Sequence, residues 1–353
     1  MTRIAYFGPE GTFTEMALLQ CQDLASRGVM AVPGVELVGA ERISAPSQVA
    51  ALEMVADGAA DLACVPIESS VEGPVTPTLD TLGFGAPLQI FAETDLAVAF
   101  SIASPKPLDE ARTVGAYPVA AAQVRAWLAA NMPQAQVVPA ASNAAAALDV
   151  AEGRIDAGVT TALAARMYDV PEAATGVADV ADARTRFVLC GKPGPAPART
   201  GSDCTAVVID VPSRPGSLAL AMAEFALRGV DLTRIESRPK RTVFGSYVFH
   251  FDCVGHIDDP AVGEALRALH RVCDDLRFLG RGIGGGVAAT AQLQGVHEAE
   301  EPGAHEHPAG APVAEDHRRE TDVATSVDLR LAIDVRRDHR QEATAETGEG
   351  AGD

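Results

Sequence analysis

A short stretch, residues 183–189, places hydroxyl and guanidinium groups directly before an apolar run that predicts a strand. Thr185 and Arg186 stand at its centre. Because an arginine fork matches a carboxylate with two parallel hydrogen bonds, this pattern could hold an anionic substrate. The simpler interpretation is the start of a strand whose arginines pair with nearby acidic residues such as Asp179 and Asp182.

A polar turn at residues 8–14 leads from a predicted strand at 3–7 into a helical pattern. Thr12 and Glu15 have the spacing of a capping box, which would satisfy backbone donors at the helix start. Such a turn can also bind an anion through free N–H groups and the helix dipole. The glycine spacing is not that of a dinucleotide site.

A second polar group, Glu68, Ser69 and Ser70, ends a buried strand predicted at 61–65. Open α/β sheets bind their ligands at the carboxyl ends of strands, so these side chains are candidates for a binding site. The alternative is a helix cap and a turn without a ligand.

Charge and composition exclude several classes of function. The chain has 353 residues and a formal net charge of −20, which argues against nucleic acid or an anionic membrane as a partner. No apolar run approaches the roughly 20 residues that span a bilayer. A strand pattern begins at residue 3 without a secretory signal, so we expect a cytoplasmic protein.

The cysteines and histidines restrict the chemistry further. The six cysteines are scattered without a C-x-x-C pair, so we expect reduced thiols and no zinc site. No histidine precedes His250, which excludes Ser-His-Asp and Cys-His arrangements from the first 200 or so residues. No metal or cofactor motif occurs, and we expect neither.

The elements that must position these residues form a repeated pattern. Positions 47, 58 and 61 carry Ser, Gly and Asp, and positions 142, 153 and 156 carry the same three residues. Each set flanks an alanine-containing helix and a short strand, which predicts two lobes of similar βα construction. A small ligand usually binds in the cleft between two lobes. We also predict one strand at 96–104 and one helix that holds Gln123.

A second domain follows a linker rich in Pro, Gly and Ala at 194–201. The pattern beyond it predicts a strand, a helix, two strands, a helix and a strand, which is the ferredoxin-like order. From about residue 284 the chain is acidic and poor in large apolar residues. We predict that this tail is disordered, because it cannot bury enough surface to compensate for its chain entropy.

Taken together, the motifs resemble those of the monofunctional prephenate dehydratases with a C-terminal ACT regulatory domain. The resemblance covers roughly residues 1–283, and no helical chorismate-mutase segment precedes the first strand. It rests on four motifs in the correct order: Gly8-Pro9-Glu10-Gly11-Thr12-Phe13-Thr14, Pro66-Ile67-Glu68-Ser69-Ser70 with Gly73 and Thr78-Leu79-Asp80, Thr185-Arg186-Phe187, and Ile235-Glu236-Ser237-Arg238-Pro239.

The resemblance implies an α/β fold with a bilobal catalytic domain around a cleft like that of periplasmic binding proteins. That domain would span residues 1–192, followed by a linker at 193–202, a βαββαβ ACT domain at 203–283 and a disordered tail at 284–353. The implied reaction is the loss of water and carbon dioxide from prephenate, which gives phenylpyruvate without a cofactor.

The resemblance also implies roles for individual residues. Thr185 would hydrogen-bond the leaving hydroxyl, Arg186 would hold a substrate carboxylate, and Phe187 would pack beside the ring. Glu68 would be the carboxyl group able to act as an acid if burial raised its pKa. The remaining residues that would line the cleft are Thr12, Thr14, Ser69, Ser70 and Gln123.

Feedback by phenylalanine is implied at an interface between two ACT domains, and therefore a homodimer or homotetramer. One wall would consist of Pro215, Gly216, Ser217 and Leu218, and the opposing wall of Glu236, Ser237, Arg238 and Pro239. Without the resemblance, these residues are the helix start and strand end of any ferredoxin-like domain.

Two residues depart from the family pattern. Ser69 stands where Asn is usual, and Tyr117 stands where many members have His. Three alternatives therefore stay open: an arogenate dehydratase, a non-catalytic amino-acid sensor in which Ser69 marks a decayed site, and a two-lobed solute-binding protein. The retained Thr185 and Arg186 argue against the sensor.

Overall fold

The structure is a computed structural model that describes residues 1–241 and 244–280. The tail predicted at 284–353 lies outside the described residues. The strands are β1 (Arg3–Phe7), β2 (Glu41–Ala45), β3 (Leu62–Ser69), β4 (Gly73–Pro74), β5 (Gln89–Ala97), β6 (Ser101–Ala103), β7 (Thr113–Ala116), β8 (Gln136–Pro139), β9 (Ala157–Thr160), β10 (Glu172–Thr175), β11 (Arg184–Gly191), β12 (Cys204–Asp210), β13 (Leu232–Pro239), β14 (Tyr247–Val254) and β15 (Asp275–Gly280). The helices are α1 (Phe13–Ser26), α2 (Gln48–Ala56), α3 (Thr76–Phe84), α4 (Pro118–Gln123), α5 (Arg125–Asn131), α6 (Asn143–Ala151), α7 (Ala162–Met167), α8 (Ser217–Ala226) and α9 (Pro260–Val272).

The first 191 residues form two lobes, each built on its own sheet. The first lobe contributes the order β5-β11-β3-β1-β2 to a larger sheet, with β4 paired to β3, and the second lobe has the order β10-β6-β9-β7-β8. The chain leaves the first lobe after β5 and returns through β11, and these two strands pair antiparallel. At the crossing, the Val98 N–H donates to the Ala183 carbonyl at 2.7 Å.

The repeat predicted from the sequence is confirmed in the structure. Ser47 and Ser142 begin α2 and α6, and each side chain accepts a hydrogen bond from the backbone N–H three residues later, at 3.0 and 2.9 Å. Asp61 and Asp156 precede β3 and β9, and each carboxylate binds a backbone N–H at the start of a neighbouring strand, at 2.7 and 2.9 Å. The two lobes therefore share one local αβ construction.

Replacing Asp156 with asparagine is expected to destabilise the second lobe by about 1–2 kcal/mol at neutral pH. Its carboxylate accepts hydrogen bonds from Lys106 Nζ at 2.7 Å and from the backbone N–H groups of Arg112 and Thr113 at 2.9 and 3.1 Å, which hold its pKa well below the usual range. A lowered pKa stabilises the fold above the pKa of about 3.9 in the unfolded chain, and this stabilisation is lost as the pH falls through the folded value.

Thermal unfolding at pH 7 and at pH 2 tests this prediction. The difference between wild type and Asp156→Asn should shrink at the lower pH. Asp23→Asn is the control, because Asp23 forms an exposed ion pair with Arg27 at 3.5 Å. Loss of this pair should change the unfolding temperature little at either pH. Equal destabilisation by Asp156→Asn at both pH values would contradict the prediction.

Four elements differ from the sequence predictions, and tertiary pairing accounts for the three strands among them. The strand predicted at 96–104 is divided between β5 and β6, which lie in different sheets, because the chain crosses between the lobes there. The helix that holds Gln123 breaks at Val124, where φ is −122° and ψ is 11°. Both β3 and β13 run further than predicted, because β11 and β14 pair with their last residues.

The described residues beyond 203 form the predicted βαββαβ domain, with the sheet order β13-β14-β12-β15. The side chains of β14 alternate between two faces: Phe251 packs with the two helices, whereas Val248 packs on the core of the first lobe. Strand β15 reaches β5 through the pair of Gly280 and Ile90, so one sheet runs through both domains. Among the described residues, no helix is long and apolar enough to cross a membrane.

Candidate active site

A cavity of about 1010 Å³ lies between the two lobes. Six of the predicted site residues line it: Thr12, Thr14, Ser69, Gln123, Thr185 and Phe187. The predicted site did not include the other polar and aromatic residues of the lining, among them Phe13, Ser44, Glu72, Thr76, Phe100, Tyr117, Ser142 and Asn143. The structure therefore brings most of the predicted site together across the cleft.

Helix starts, rather than cationic side chains, surround this cavity. The first residues of α1, α3 and α6 line it, represented by Phe13, Thr76 and Asn143. The first N–H groups of a helix have no partner within the helix and carry partial positive charge. Among the described residues of the lining, Glu72 is the one charged side chain. Binding of an anion would therefore depend on backbone amides and on hydroxyl and amide side chains.

The turn before α1 is held in place by the predicted capping pair of Thr12 and Glu15, although the Glu15 carboxylate binds the N–H of Gly11 and not that of Thr12. Thr12 accepts a hydrogen bond from the Glu15 N–H at 3.5 Å and donates to the Pro9 carbonyl at 3.0 Å. The buried Glu15 carboxylate accepts the Gly11 N–H at 2.7 Å and lies 3.4 Å from the Arg42 guanidinium. These contacts fix the backbone at the edge of the cavity.

Gly11 is also a point where the two lobes touch. Its φ of +82° is in the left-handed region, and its carbonyl accepts a hydrogen bond from the Thr161 hydroxyl of the second lobe at 2.7 Å. A Cβ at Gly11 would lie 3.0 Å from the Cβ of Ala164 and 3.2 Å from that of Ala144. Glycine therefore allows a close approach that a side chain would prevent.

A second contact between the lobes involves Gln123, whose Nε2 donates to Glu72 Oε1 at 3.2 Å. The Gln123 carbonyl accepts the Asp179 N–H at 2.7 Å, which ties it to the segment that returns to the first lobe. Glu72 was not predicted, although it follows Ser69 closely in the second motif. Gln123 therefore lines the cavity and also joins the lobes.

Thr185 and Ser69 face each other across the paired strands β11 and β3. Side chains directly opposite on antiparallel strands are about 4.5–5.5 Å apart at Cβ, so both hydroxyls can reach one small ligand. The Ser69 hydroxyl also accepts hydrogen bonds from the Val71 and Glu72 N–H groups, at 3.3 and 3.2 Å, which shapes the following turn. Phe187 lines the same wall two residues beyond Thr185 and is buried.

Arg186 and Glu68 are not among the residues that line this cavity, and their contact with the substrate stays a prediction. Side chains alternate along a strand, so Arg186 points away from the face of Thr185 and Phe187. Its guanidinium lies 3.1 Å from Glu68, 3.7 Å from Asp95 and 4.0 Å from Asp252 of the ACT domain. Arg186 thus pairs with acidic residues, although not with Asp179 or Asp182, which the simpler interpretation of the motif named.

Ser70 is likewise outside the cavity. It is exposed, and its hydroxyl accepts the Arg184 N–H at 2.9 Å while its own N–H donates to the Arg184 carbonyl at 2.8 Å. Ser70 therefore closes the pairing of β3 with β11 instead of contacting a ligand.

Replacing Arg186 with glutamine is expected to lower the free energy of unfolding by about 1–3 kcal/mol, because three carboxylates would lose their shared partner. The KM for prephenate should rise less than tenfold, since the guanidinium is outside the cavity. Chemical denaturation and steady-state kinetics measure the two effects, and Arg186→Lys, which keeps the charge, should lose less stability. A large rise in the KM of Arg186→Gln, with unchanged stability, would show that Arg186 binds prephenate.

The residues predicted to bind an effector lie in two separate places within one copy of the chain. Pro215, Ser217 and Leu218 line a cavity of about 560 Å³ in the ACT domain, and Gly216 precedes α8 with a φ of +84°. This cavity also contains the ion pair of Lys240 with Asp210, and burial raises the pKa of the Asp210 carboxyl. Glu236, Ser237, Arg238 and Pro239 lie on the edge strand β13, outside this cavity.

Two lobes around a small-ligand cavity, followed by a βαββαβ domain on the same sheet, define the class: a two-lobed α/β protein with an ACT-type domain. The sequence model described as prephenate dehydratase matches residues 4–195, and that described as ACT domain matches residues 205–271. The chain belongs to the prephenate dehydratase family.

Individual proteins agree with this assignment. The chain is 59% identical over 283 residues to a prephenate dehydratase of Mycobacterium sp. (strain JLS), covering 79% of this chain and 88% of that protein. It is 54% identical over 302 residues to a prephenate dehydratase of Mycobacterium tuberculosis (strain ATCC 25618 / H37Rv), covering 85% and 92%. A crystal structure of prephenate dehydratase in complex with L-Phe from Arthrobacter aurescens matches with a TM-score of 0.71 and 36% identity, covering 84% and 99%.

Proposed function

We propose that this protein is a carbon-oxygen lyase that converts prephenate to phenylpyruvate, water and carbon dioxide. The observation that carries the proposal is the Thr185 hydroxyl opposite Ser69, on the wall of a cavity surrounded by helix starts. Relatives that are named prephenate dehydratase and match most of this chain support the same reaction.

The cavity provides what a dianionic substrate requires. The two carboxylates of prephenate bind to the N–H groups at the starts of α1, α3 and α6 and to nearby hydroxyls. Phe13, Phe100 and Phe187 give the site apolar walls against which the ring packs. Gln123 and Glu72 close the cleft between the lobes and limit the access of water.

Thr185 acts at the hydroxyl that leaves. Its side chain hydrogen-bonds the departing oxygen and positions it for a proton that comes from the solvent, because a threonine hydroxyl is itself a poor acid. The C–O bond breaks as the electrons of the ring–carboxylate bond move into the ring, which becomes aromatic. The prephenate dianion and one proton thus give the phenylpyruvate anion, carbon dioxide and water.

We also propose that phenylalanine inhibits the enzyme through the ACT domain, in a cytoplasmic homo-oligomer. The Arthrobacter relative is described as a complex with L-Phe, which supports a phenylalanine site in this family. Within the part of the chain that the structure describes, β13 is an edge strand, and it offers the ACT domain a surface for a second copy together with the exposed side chains Leu220, Leu227 and Ile235. The two halves of the predicted effector site would meet across such an interface.

The test is to incubate the purified protein with prephenate or with arogenate, with and without phenylalanine, and to follow the keto acid or amino acid formed. We expect phenylpyruvate from prephenate, at a rate that falls as phenylalanine is added. Faster turnover of arogenate would assign the protein as an arogenate dehydratase. If the protein binds phenylalanine but converts neither prephenate nor arogenate, it is an amino-acid sensor. Turnover that does not respond to phenylalanine would refute the proposed inhibition through the ACT domain.

A further inference from the structure

Helix α3 forms part of the cavity wall through its first turn. Thr76 and Pro77 line the cavity. The start of the helix is fixed to β3 at two points: the Thr78 hydroxyl donates to the Pro66 carbonyl at 2.7 Å, and the Val75 N–H donates to the Ile67 carbonyl at 2.9 Å. A displacement of α3 would therefore change the wall of the cavity.

The other end of α3 is held by the ACT domain. The buried Arg277 of β15 donates to the Leu82 carbonyl at 2.6 Å and to the Gly85 carbonyl at 2.9 Å. Leu82 lies in the last turn of the helix and Gly85 directly follows it, where backbone acceptors have no partner within the helix. His250 of β14 packs beside Gly83, since a Cβ at Gly83 would lie 3.1 Å from its Nε2. The helix therefore ends against the ACT sheet.

The middle of α3 is joined to the edge strand β13 by a paired arginine and aspartate. Arg238 Nε donates to Asp80 Oδ1 at 2.8 Å and a second guanidinium nitrogen lies 3.5 Å from Oδ2, with both side chains 16% exposed. Arg241 also contacts the same carboxylate. Arg238 pairs in register with Val248, whose side chain packs on the core of the first lobe, so Arg238 faces the catalytic domain.

This contact links two motifs whose connection the sequence does not show. Arg238 belongs to the motif predicted to form a wall of the effector site, next to Ser237, while Asp80 had no predicted role. Neighbouring residues on a strand point to opposite faces, so a ligand against Ser237 and the bridge of Arg238 lie on the two sides of β13. A shift or twist of this strand would move both.

We propose that Asp80 is a positioning residue that couples β13 to the cavity through α3, so that occupation of the effector site changes the position of Thr76 and Pro77. Two sites are coupled when each biases the same element between two arrangements, and α3 is in contact with both regions. The inference rests on the proposed dehydratase activity and on its inhibition by phenylalanine. Arg277 holds the far end of the helix and serves as its pivot.

The experiment compares wild type with Asp80→Asn by two readouts, phenylalanine binding by calorimetry and the rise in prephenate KM that saturating phenylalanine causes. Couplings of this kind change affinity by about 5–150-fold. We expect Asp80→Asn to bind phenylalanine within about threefold of wild type, while the effect of phenylalanine on KM falls at least fivefold. The double variant should show the same loss of coupling as Asp80→Asn, because both lack the bridge. Arg238→Gln keeps the Arg241 contact and should lose at least part of the coupling.

Asp80→Glu, which keeps the carboxylate, should recover part of the coupling, and Asp23→Asn, an exposed pair elsewhere, should leave it unchanged. Full inhibition of Asp80→Asn by phenylalanine would overturn the inference, as would losses that add in the double variant. If Asp80→Asn unfolds, the same two readouts are measured on Arg238→Lys, which keeps the charge but lacks the two-pronged guanidinium group. Full inhibition of this variant by phenylalanine would then overturn the inference. A wild type without turnover would refute the proposed function instead, and this outcome appears before any variant is measured.

Discussion

Replacing Thr185 with alanine is expected to lower kcat for phenylpyruvate formation by about 10²–10³-fold, the range typical of a lost hydrogen-bond donor to a group that gains charge in the transition state. The hydroxyl is the polar group on β11 that lines the cavity, opposite Ser69, and no histidine among the described residues lines it. KM should change little, because backbone amides at the helix starts would still hold the two carboxylates. Steady-state kinetics with prephenate measures both constants.

Two further variants separate the hydroxyl from the shape of the side chain. Thr185→Ser keeps the hydroxyl and should retain activity within about tenfold of wild type, whereas Thr185→Val keeps the shape and should be as slow as alanine. Unfolding temperatures close to that of wild type would show that the strand is intact. Valine and serine variants of equal activity would mean that another group assists the departure of the hydroxyl.

Replacing Gly11 with alanine is expected to lower kcat/KM by about 10²-fold, because a displacement of about 1 Å in an active site can cost that much. The added methyl group would lie 3.0–3.2 Å from Ala164 and Ala144 in the second lobe, and the φ of +82° would be strained as well. The lobes would separate at the edge of the cavity, where α1 begins. Prephenate kinetics, with phenylalanine absent, is the measurement.

Gly28→Ala is a matched control for this prediction. Gly28 also has a positive φ, of +69°, but an added Cβ there would meet nothing within 4 Å. The control variant therefore carries the backbone strain, about 1–2 kcal/mol, without the contact between the lobes. It should be less stable than wild type and equally active. Equal losses of activity in both variants would show that strain, and not separation of the lobes, is the cause.

The order of elements could be predicted because local patterns determine it. Capping residues such as Thr12, Ser47 and Ser142 start their helices where the sequence indicated, and the alternation in β14 identified its two faces. The caps and the alternation depend on neighbours within a few positions along the chain, so a single sequence contains them. The six residues that line the cavity were predicted from the family resemblance instead.

The orientation of β11 could not be predicted, because its sequence is apolar on both faces beyond Arg186. Val188 and Leu189 pack into different cores, yet nothing in their types shows which core lies beside the cavity. Which side chains of β11 face the cavity depends on its pairing with β3 and β5. The pairing with β3 also shifts register between Arg186 and Phe187. Arg186 was predicted to hold a substrate carboxylate, whereas in the structure its guanidinium lies beside the carboxylates of Glu68 and Asp95.

Contacts between distant parts of the chain were missed for a related reason. Gln123 with Glu72, Thr161 with Gly11 and Arg238 with Asp80 each join separate sheets or domains. Each pair consists of common polar residues, whose partners become evident only when the topology is known. Individual motifs indicated where a site would form but not how its walls are connected.

The sheet that runs from β15 into β5 has a consequence for engineering this protein. Cutting the chain before β12, a direct way to remove inhibition by an end product, would uncover the side of β5 at Ile90, together with the apolar surface that Leu79 and Leu82 share with Val208. An open strand edge beside an apolar face promotes aggregation. An insensitive enzyme for overproduction is therefore better sought by single substitutions that leave the regulatory domain in place.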